Sequence, residues 1–291
     1  MSETVVLRVR TAAAPERVRR ALTDAAELRA WLTEHAEVEL PDRWRFWGRH
    51  TPGGDEPRQV LEHVDDSSLG FRWTVGGEET SVELRWAAED GGTAVSVSQS
   101  HFPGWAETVA ETGVLAWLYT FWTISLANLV DHVEGRPITA RIDYTTHEMR
   151  VDVVVDAPAE AVGRSLVDPA QYSRWFGAKV DIEPWDGGRF AMGGFDADDD
   201  PGRVVGYEPG RRMGIEWDGL VAGWELAESG GRTRLTFVQS GFIEGRPPYG
   251  AWAGWLAGLA GLRRFHELPD RRPIWVESDV PGLPEDMLVE R

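Results

Sequence analysis

The feature that most constrains the fold of this chain is that it repeats itself. Asp24 to Trp31 is matched by Asp168 to Trp175 at a spacing of 144 residues. Arg45-Phe46 and Trp73 are matched by Arg189-Phe190 and Trp217 at the same spacing. Ala14-Pro15-Glu16 answers to Ala157-Pro158-Ala159-Glu160, and Val97-Ser98-Gln99-Ser100 to Phe237-Val238-Gln239-Ser240 at a spacing of 140. Trp122, Leu126 and Leu129 have the spacing of Trp255, Leu259 and Leu262. Independent matches in one order indicate a tandem duplication, and the drift from 144 to 140 indicates a deletion in a loop of the second copy. A length of 291 residues accommodates two domains of ordinary size.

Each copy reads as a strand, two short helices, about six short strands and one long helix. In copy one Val5, Leu7 and Val9 share a strand face, and Pro15 opens a helix running to about Leu22. Strand patterns follow at Ala36–Leu40, Trp44–Gly48, Gln59–Val64, Leu69–Val75, Ser81–Ala87 and Ala94–His101, with Gly53-Gly54, Gly76-Gly77 and Gly91-Gly92 as loops. Residues 112–130 then carry no charge and predict a long buried helix ending near Gly135. That run has the length of a membrane span. Thr112, Tyr119, Thr120, Thr123, Ser125 and Asn128 scattered along it, with Asp131 and Glu134 after it, argue for burial in protein. The resulting division is a domain at 1–135, a linker at 136–147, a second domain at 148–268 and a C-terminal extension at 269–291 anchored by Ile274 and Trp275.

A long helix apolar on two faces requires cover on both, so the antiparallel sheet of each copy must curve around it. The fold class is α+β. Copy one's helix sets Leu115, Leu118, Trp122, Leu126, Leu129 and Val133 on one stripe, with Val114, Trp117, Phe121 and Ile124 behind. Copy two's helix has small residues behind: Ala253, Ala257, Ala260 and Gly261. The expectation is that Trp117, Phe121 and Ile124 pack against Ala253, Ala257 and Gly261, the alternative being a homodimer through the bulky face.

Thirty basic and 48 acidic residues give a net charge of −18, which argues against nucleic acid or an anionic membrane as partner. The absence of cysteine excludes disulfides, thiolate nucleophiles and thiolate zinc sites. The seven histidines do not cluster at ligand spacing, so neither a metal nor a cofactor is expected. Asp196, Asp198, Asp199 and Asp200 read as a solvated turn, lacking the ligand order of a calcium loop. The N-terminus has no apolar signal core, and the default location is the cytoplasm.

In the order Ala-Pro, Asp24…Trp31-Leu32 and Asp168…Trp175-Phe176, Gly187-Gly188-Arg189-Phe190 and the closing tryptophan–leucine helix, the chain resembles a tandem pair of activator-of-Hsp90-ATPase-homologue-1-like domains. That family lies within the START-like (SRPBCC), helix-grip superfamily. The resemblance implies two helix-grip domains, each a curved antiparallel sheet wrapped around a long C-terminal helix, with a hydrophobic cavity between. Copy one departs from the pattern, with Asp42-Arg43-Trp44-Arg45-Phe46 where copy two has its glycine pair. Superfamily members include binders of apolar small molecules and polyketide cyclases, and fold alone does not choose among them.

Strand alternation nominates the cavity lining: Trp73, Trp86, Gln99, His101 and, from the helix, Trp122 in copy one; Met192, Tyr207, Trp217, Gln239 and Trp255 in copy two. Gln99 and Gln239 each continue an apolar stripe inward, and a buried amide demands a partner. The bland reading is a bond to neighbouring backbone or trapped water; the sharp one is a polar anchor for a ligand. His101 has no acid partner at a readable spacing, and no residue set names a reaction or a catalytic residue. The leading expectation is therefore binding of an apolar or aromatic small molecule. A cyclase- or aromatase-type enzyme and a chaperone-cofactor-like interaction protein are the alternatives.

Overall fold

The computed structural model describes residues 3–196, 198–269 and 278–283. By contacts the chain forms two compact units. Unit 1 takes the chain up to Thr145 together with Tyr249–Ala257 and the stretch ending at Leu283; unit 2 takes Thr146–Pro248 and the remainder of the long helix from Gly258.

Unit 1 opens with β1 (Glu3–Thr11), α1 (Pro15–Thr23) and α2 (Ala25–Trp31). Pro15 sits at the start of α1, and the Asp24 carboxylate caps α2 by accepting from the N–H groups of Ala26 and Glu27. The strands β2 (His35–Glu39), β3 (Arg43–Trp47), β4 (Gln59–Val64), β5 (Ser68–Val75), β6 (Glu78–Glu89) and β7 (Gly92–Phe102) follow, close to the expected bounds. The main sheet runs β1-β7-β6-β5-β4, while β2-β3 forms a separate ribbon. The ribbon is tied to β4 by a side chain instead of a ladder: the Phe46 N–H donates to Gln59 Oε1 at 3.1 Å.

The charge-free run is not one helix. After α3 (Trp105–Val109), Gly113 at φ +143 starts a 3-10 turn over Val114–Trp117, and only from Leu118 does α4 (Leu118–Val133) run as α-helix. Among the described residues, Val114–Val133 alone is long and apolar enough to cross a membrane; its mean hydropathy is 1.2 and 78% of that window is buried inside the protein. Its polar groups have local uses. Thr120 and Thr123 bond to carbonyls three and four residues back. Asn128, fully buried, donates to Thr139 O at 3.0 Å and accepts from its N–H at 2.9 Å. With the Arg141 guanidinium on the carbonyls of Arg29 and Thr33, and the Tyr144 N–H on Arg49 O, that bond fastens the segment expected as a linker onto unit 1.

Unit 2 repeats the plan with β8 (Met149–Val155), α5 (Ala159–Ser165), α6 (Pro169–Phe176), β9 (Val180–Ile182), β10 (Arg189–Met192), β11 (Gly202–Glu208), β12 (Arg212–Trp217), β13 (Leu220–Ser229) and β14 (Arg232–Ser240). Here the sheet is continuous, β8-β14-β13-β12-β11-β10-β9. Gly187-Gly188 makes the join to β11: the Gly187 N–H donates to Val204 O and the Gly188 carbonyl accepts from the Val204 N–H, both at 2.7 Å, and a Cβ on Gly188 would stand 2.1 Å from the Glu183 carbonyl. The internal repeat is also kept in detail: the Trp31 indole donates to Ala21 O, and the Trp175 indole to Ser165 O.

The long helix α7 (Tyr249–Glu267) is shared, its residues to Ala257 grouping with unit 1 and those from Gly258 with unit 2. In unit 1 the Gly250 Cα lies against Trp117 and Glu111, and Gly254 faces Thr120. Phe121, expected on the back face with Trp117, instead makes ring contacts with Trp73 and Trp122 at 5.8 and 5.0 Å, because the curved sheet grips a wider arc of α4 than one stripe. Ile274 and Trp275, named as anchors of the extension, lie outside the described residues. Just beyond them β15 (Ser278–Asp279) pairs antiparallel with β1, covering an edge that the sequence pattern left open.

Candidate functional site

The two copies diverge most where their inward glutamines sit. In unit 1, Val5, Gln99, Val82, Phe71 and Leu61 stand opposite one another across β1, β7, β6, β5 and β4. Gln99 is 1% exposed and fully used. Its Nε2 donates to Thr80 Oγ1 at 2.6 Å, and its Oε1 accepts from the Trp122 indole at 3.0 Å. Thr80 in turn donates to Trp73 O at 2.9 Å. Rings fill the space around this bridge: Trp44, Phe46, Phe71, Trp73 and Trp122 are all buried, with successive centroids 4.8–6.3 Å apart. Rings at these distances are in packing contact beside the glutamine.

In unit 2 the equivalent row is Met149, Gln239, Ala222, Ile215 and Val204 across β8, β14, β13, β12 and β11. Gln239 is 2% exposed, and neither its Nε2 nor its Oε1 has a hydrogen-bond partner among the described residues. The cause is visible in the register. The residue two positions before the strand partner of the glutamine is Thr80 in β6 and Leu220 in β13, so the hydroxyl that serves Gln99 has no counterpart. Several side chains around the row are also smaller: Ala222 stands for Val82, Ile215 for Phe71, and Gly188 for Trp44 of the neighbouring ribbon, while Met149 is longer than Val5. Bulk moves one rung away, where Trp224 and Phe237 replace Leu84 and Val97 and meet at 5.4 Å.

The four-residue drift falls in the hairpin beside this row. In unit 1, β5 and β6 continue two rungs past Trp73↔Thr80, and the tip glycine Gly76 packs against Val114 and Leu115. In unit 2 the hairpin ends at Trp217↔Leu220, turning through Asp218 and Gly219, both at positive φ. Trp73 is buried, whereas Trp217 is half-buried.

A second polar group lies buried in unit 2. Tyr172 on α6 is 0% exposed, its hydroxyl has no partner among the described residues, and burial pushes the phenol far above its ordinary value. Its ring touches Trp175, Phe176 and Phe190 at 4.3, 5.6 and 5.8 Å. The repeat places Leu28 at the equivalent position of unit 1, itself fully buried. Sequence reading passed Tyr172 over, although a polar residue replacing leucine at a core position of the other copy is a readable signal.

The remaining nominated residues scatter. Trp86 is buried, and its indole N–H has no partner among the described residues. His101 leaves the inward stripe because its φ is +60; its Nδ1 meets Ser100 Oγ at 3.0 Å. Met192 is 45% exposed and lines no interior. Tyr207 follows a bulge at Gly206 that turns it out of the row, into a recess with Leu166, Arg211 and Met213 that has space for about one water. Trp255 is buried but lies on the part of α7 that groups with unit 1. Asp196, Asp199 and Asp200 are exposed, and among the described residues no group of three or more acidic or histidine side chains is placed to hold a metal.

Two curved antiparallel sheets, each with paired short helices and a share of a long helix, define a tandem helix-grip protein. The family model for the Activator of Hsp90 ATPase homolog 1-like protein matches residues 12–134 and 156–267, and the chain belongs to that family. Among solved structures it is similar to a conserved protein of unknown function, EF2215, from Enterococcus faecalis (21% identity, 44% of this chain and 75% of that one, TM-score 0.39). It is similar also to protein CV1439 from Chromobacterium violaceum (26%, 43% and 100%, 0.34). DynU16, a protein of the dynemicin biosynthetic locus, aligns over 92% of this chain and 99% of its own at 15% identity and a TM-score of 0.39. No curated protein matches.

Proposed function

We propose that unit 2 binds an uncharged apolar or aromatic small molecule between its sheet and helices, with Gln239 as polar anchor, and that unit 1 serves as a filled, structural copy. The observation that carries this reading is the unpaired carboxamide of Gln239 beside short neighbours, where the same residue in unit 1 is bonded on both sides. An amide buried without a partner costs about 1–3 kcal/mol. A bound molecule with a donor and an acceptor of its own removes that cost. The β12–β13 hairpin beside the anchor is two rungs shorter than its counterpart in unit 1, and in this reading its end is the entrance. A net charge of −18 disfavours anionic ligands. In this reading the protein is a soluble binding or sequestering module of the cytoplasm.

Native mass spectrometry of the purified protein, followed by solvent extraction, tests the reading. The expected result is a neutral co-purified mass at up to one per chain, diminished in Gln239→Leu. A clean apo mass together with no thermal shift across a panel of neutral apolar ligands overturns it.

A further inference from the structure

Resting on that reading, we infer that the ligand of unit 2 is an elongated, uncharged, multi-ring molecule with an oxygen function at each end, one received by Gln239 and the other by the Tyr172 hydroxyl. Both groups are more than nine-tenths buried and have no partner among the described residues. Unit 1 builds the same elements with Leu28 in place of the tyrosine, and its own glutamine is satisfied internally, so the two unpaired groups are particular to unit 2. Two such groups retained in one small core, each at a cost in stability, point to a shared guest.

Their positions set the guest's length. Gln239 lies in β14. Tyr172 touches Phe190 in β10, whose strand partner Gly202 lies against the Ile215 and Trp217 side chains, next to the Gln239 row. From β14 to β10 is four strand spacings, roughly 19 Å across a flat sheet and less across a curved one. A guest that meets both groups therefore has the length of a two- or three-ring molecule along the sheet. The chemistry at the ends differs. The phenol donates to a carbonyl, ether or hydroxyl oxygen, whereas the carboxamide offers donor and acceptor together and suits a hydroxyl or a carboxamide. Between them Ala222, Ile215 and Val204 present only hydrocarbon.

The test uses the intact protein and three neutral probes of one shape: trans-stilbene, its monohydroxy derivative, and the dihydroxy derivative with a phenol at each end. Affinities are measured by fluorescence titration for the natural chain, Gln239→Leu and Tyr172→Phe. The dihydroxy probe is expected to bind tightest in the natural chain. Each variant should weaken it about fivefold to tenfold, the worth of one hydrogen bond to a buried group, while leaving stilbene unchanged. Both variants should melt no lower than the natural protein without ligand, because each removes an unpaired polar group. A lowered apo melting temperature for Tyr172→Phe would mean that its hydroxyl serves the fold, and overturns the inference. Equal affinity for stilbene and its dihydroxy derivative, unaffected by either variant, also overturns it while leaving an apolar binding site in place. Binding of none of the three overturns it as well, and the extraction experiment then judges the broader reading separately.

Discussion

A single hydroxyl separates the two glutamines. Thr80 donates to Trp73 O and accepts from Gln99, so it satisfies two groups with one side chain. Replacing it with valine keeps the shape and removes both bonds. Thr80→Val is expected to destabilise unit 1 by about 1–3 kcal/mol, read as a shift in the urea midpoint, because the Gln99 amide loses its acceptor in the dry interior. The reverse change belongs to unit 2. Leu220→Thr offers Gln239 the oxygen that Thr80 offers Gln99; Leu220 is half-buried, so little apolar burial is lost. The variant is expected to fold with unchanged or higher stability and to bind the unit 2 ligand more weakly by calorimetric titration, since the anchor is then occupied. Sequence alone ranked Gln99 and Gln239 equally. Their difference depends on which residue stands diagonally across a hairpin; the spacing of the repeats reveals a four-residue deletion, but only the paired strands place it in the hairpin that sets that register.

At the scale of elements, alternation and glycine pairs marked the strands of unit 1 well: β4 is Gln59–Val64 as expected, and the ends of the others move by at most three residues. Less legible were the features set by distant contacts. The 3-10 turn at Val114–Trp117 lies inside a run with uniform hydrophobicity, so no periodicity betrays it. β15 is two residues long, and only its pairing with β1 makes it a strand. The start of α7 is held from afar as well. Pro248 gives it no side-chain cap, and Glu111, in a different part of unit 1, accepts from the Ala251 N–H at 2.7 Å and lies near that of Gly250. Burial pushes the Glu111 carboxyl above its ordinary value of 4.5, against the pull of those amides and the Trp117 indole. A carboxyl raised on folding favours the folded state most below the unfolded value and loses that contribution as pH rises through the folded value. Glu34 and Asp65 have the opposite sign. Both are held at about 2, Glu34 by the Arg49 guanidinium and Asp65 by the N–H of Ser67 and the hydroxyl of Ser68, so what they contribute disappears as pH falls toward 2. Glu111→Gln is therefore expected to match the natural protein near pH 4.5 and to be relatively more stable above it, in melting temperatures recorded across that range.

For the whole molecule, duplication frees one copy to change. Unit 1 keeps a core of edge-to-face and tilted rings closed by Thr80, Gln99 and Trp122, and receives β15 as an edge strand. Unit 2 has exchanged bulk for short side chains around Gln239, lost two rungs of a hairpin, and gained Tyr172. The changes agree in direction: each alone is a defect in a packed core, and together they are what the proposed binding role of unit 2 requires. A ligand that binds the folded state stabilises it in proportion to its occupancy, and the segments it touches open less often. Hydrogen exchange with and without the dihydroxystilbene probe separates this division of roles from a shared one. Protection is expected in α6, in β12 to β14 and in the Asp218-Gly219 turn, with β5 to β7 unchanged. Protection appearing equally in β5 to β7 would assign a working site to unit 1 and refute the idea of a filled copy, whatever the affinity measured in unit 2.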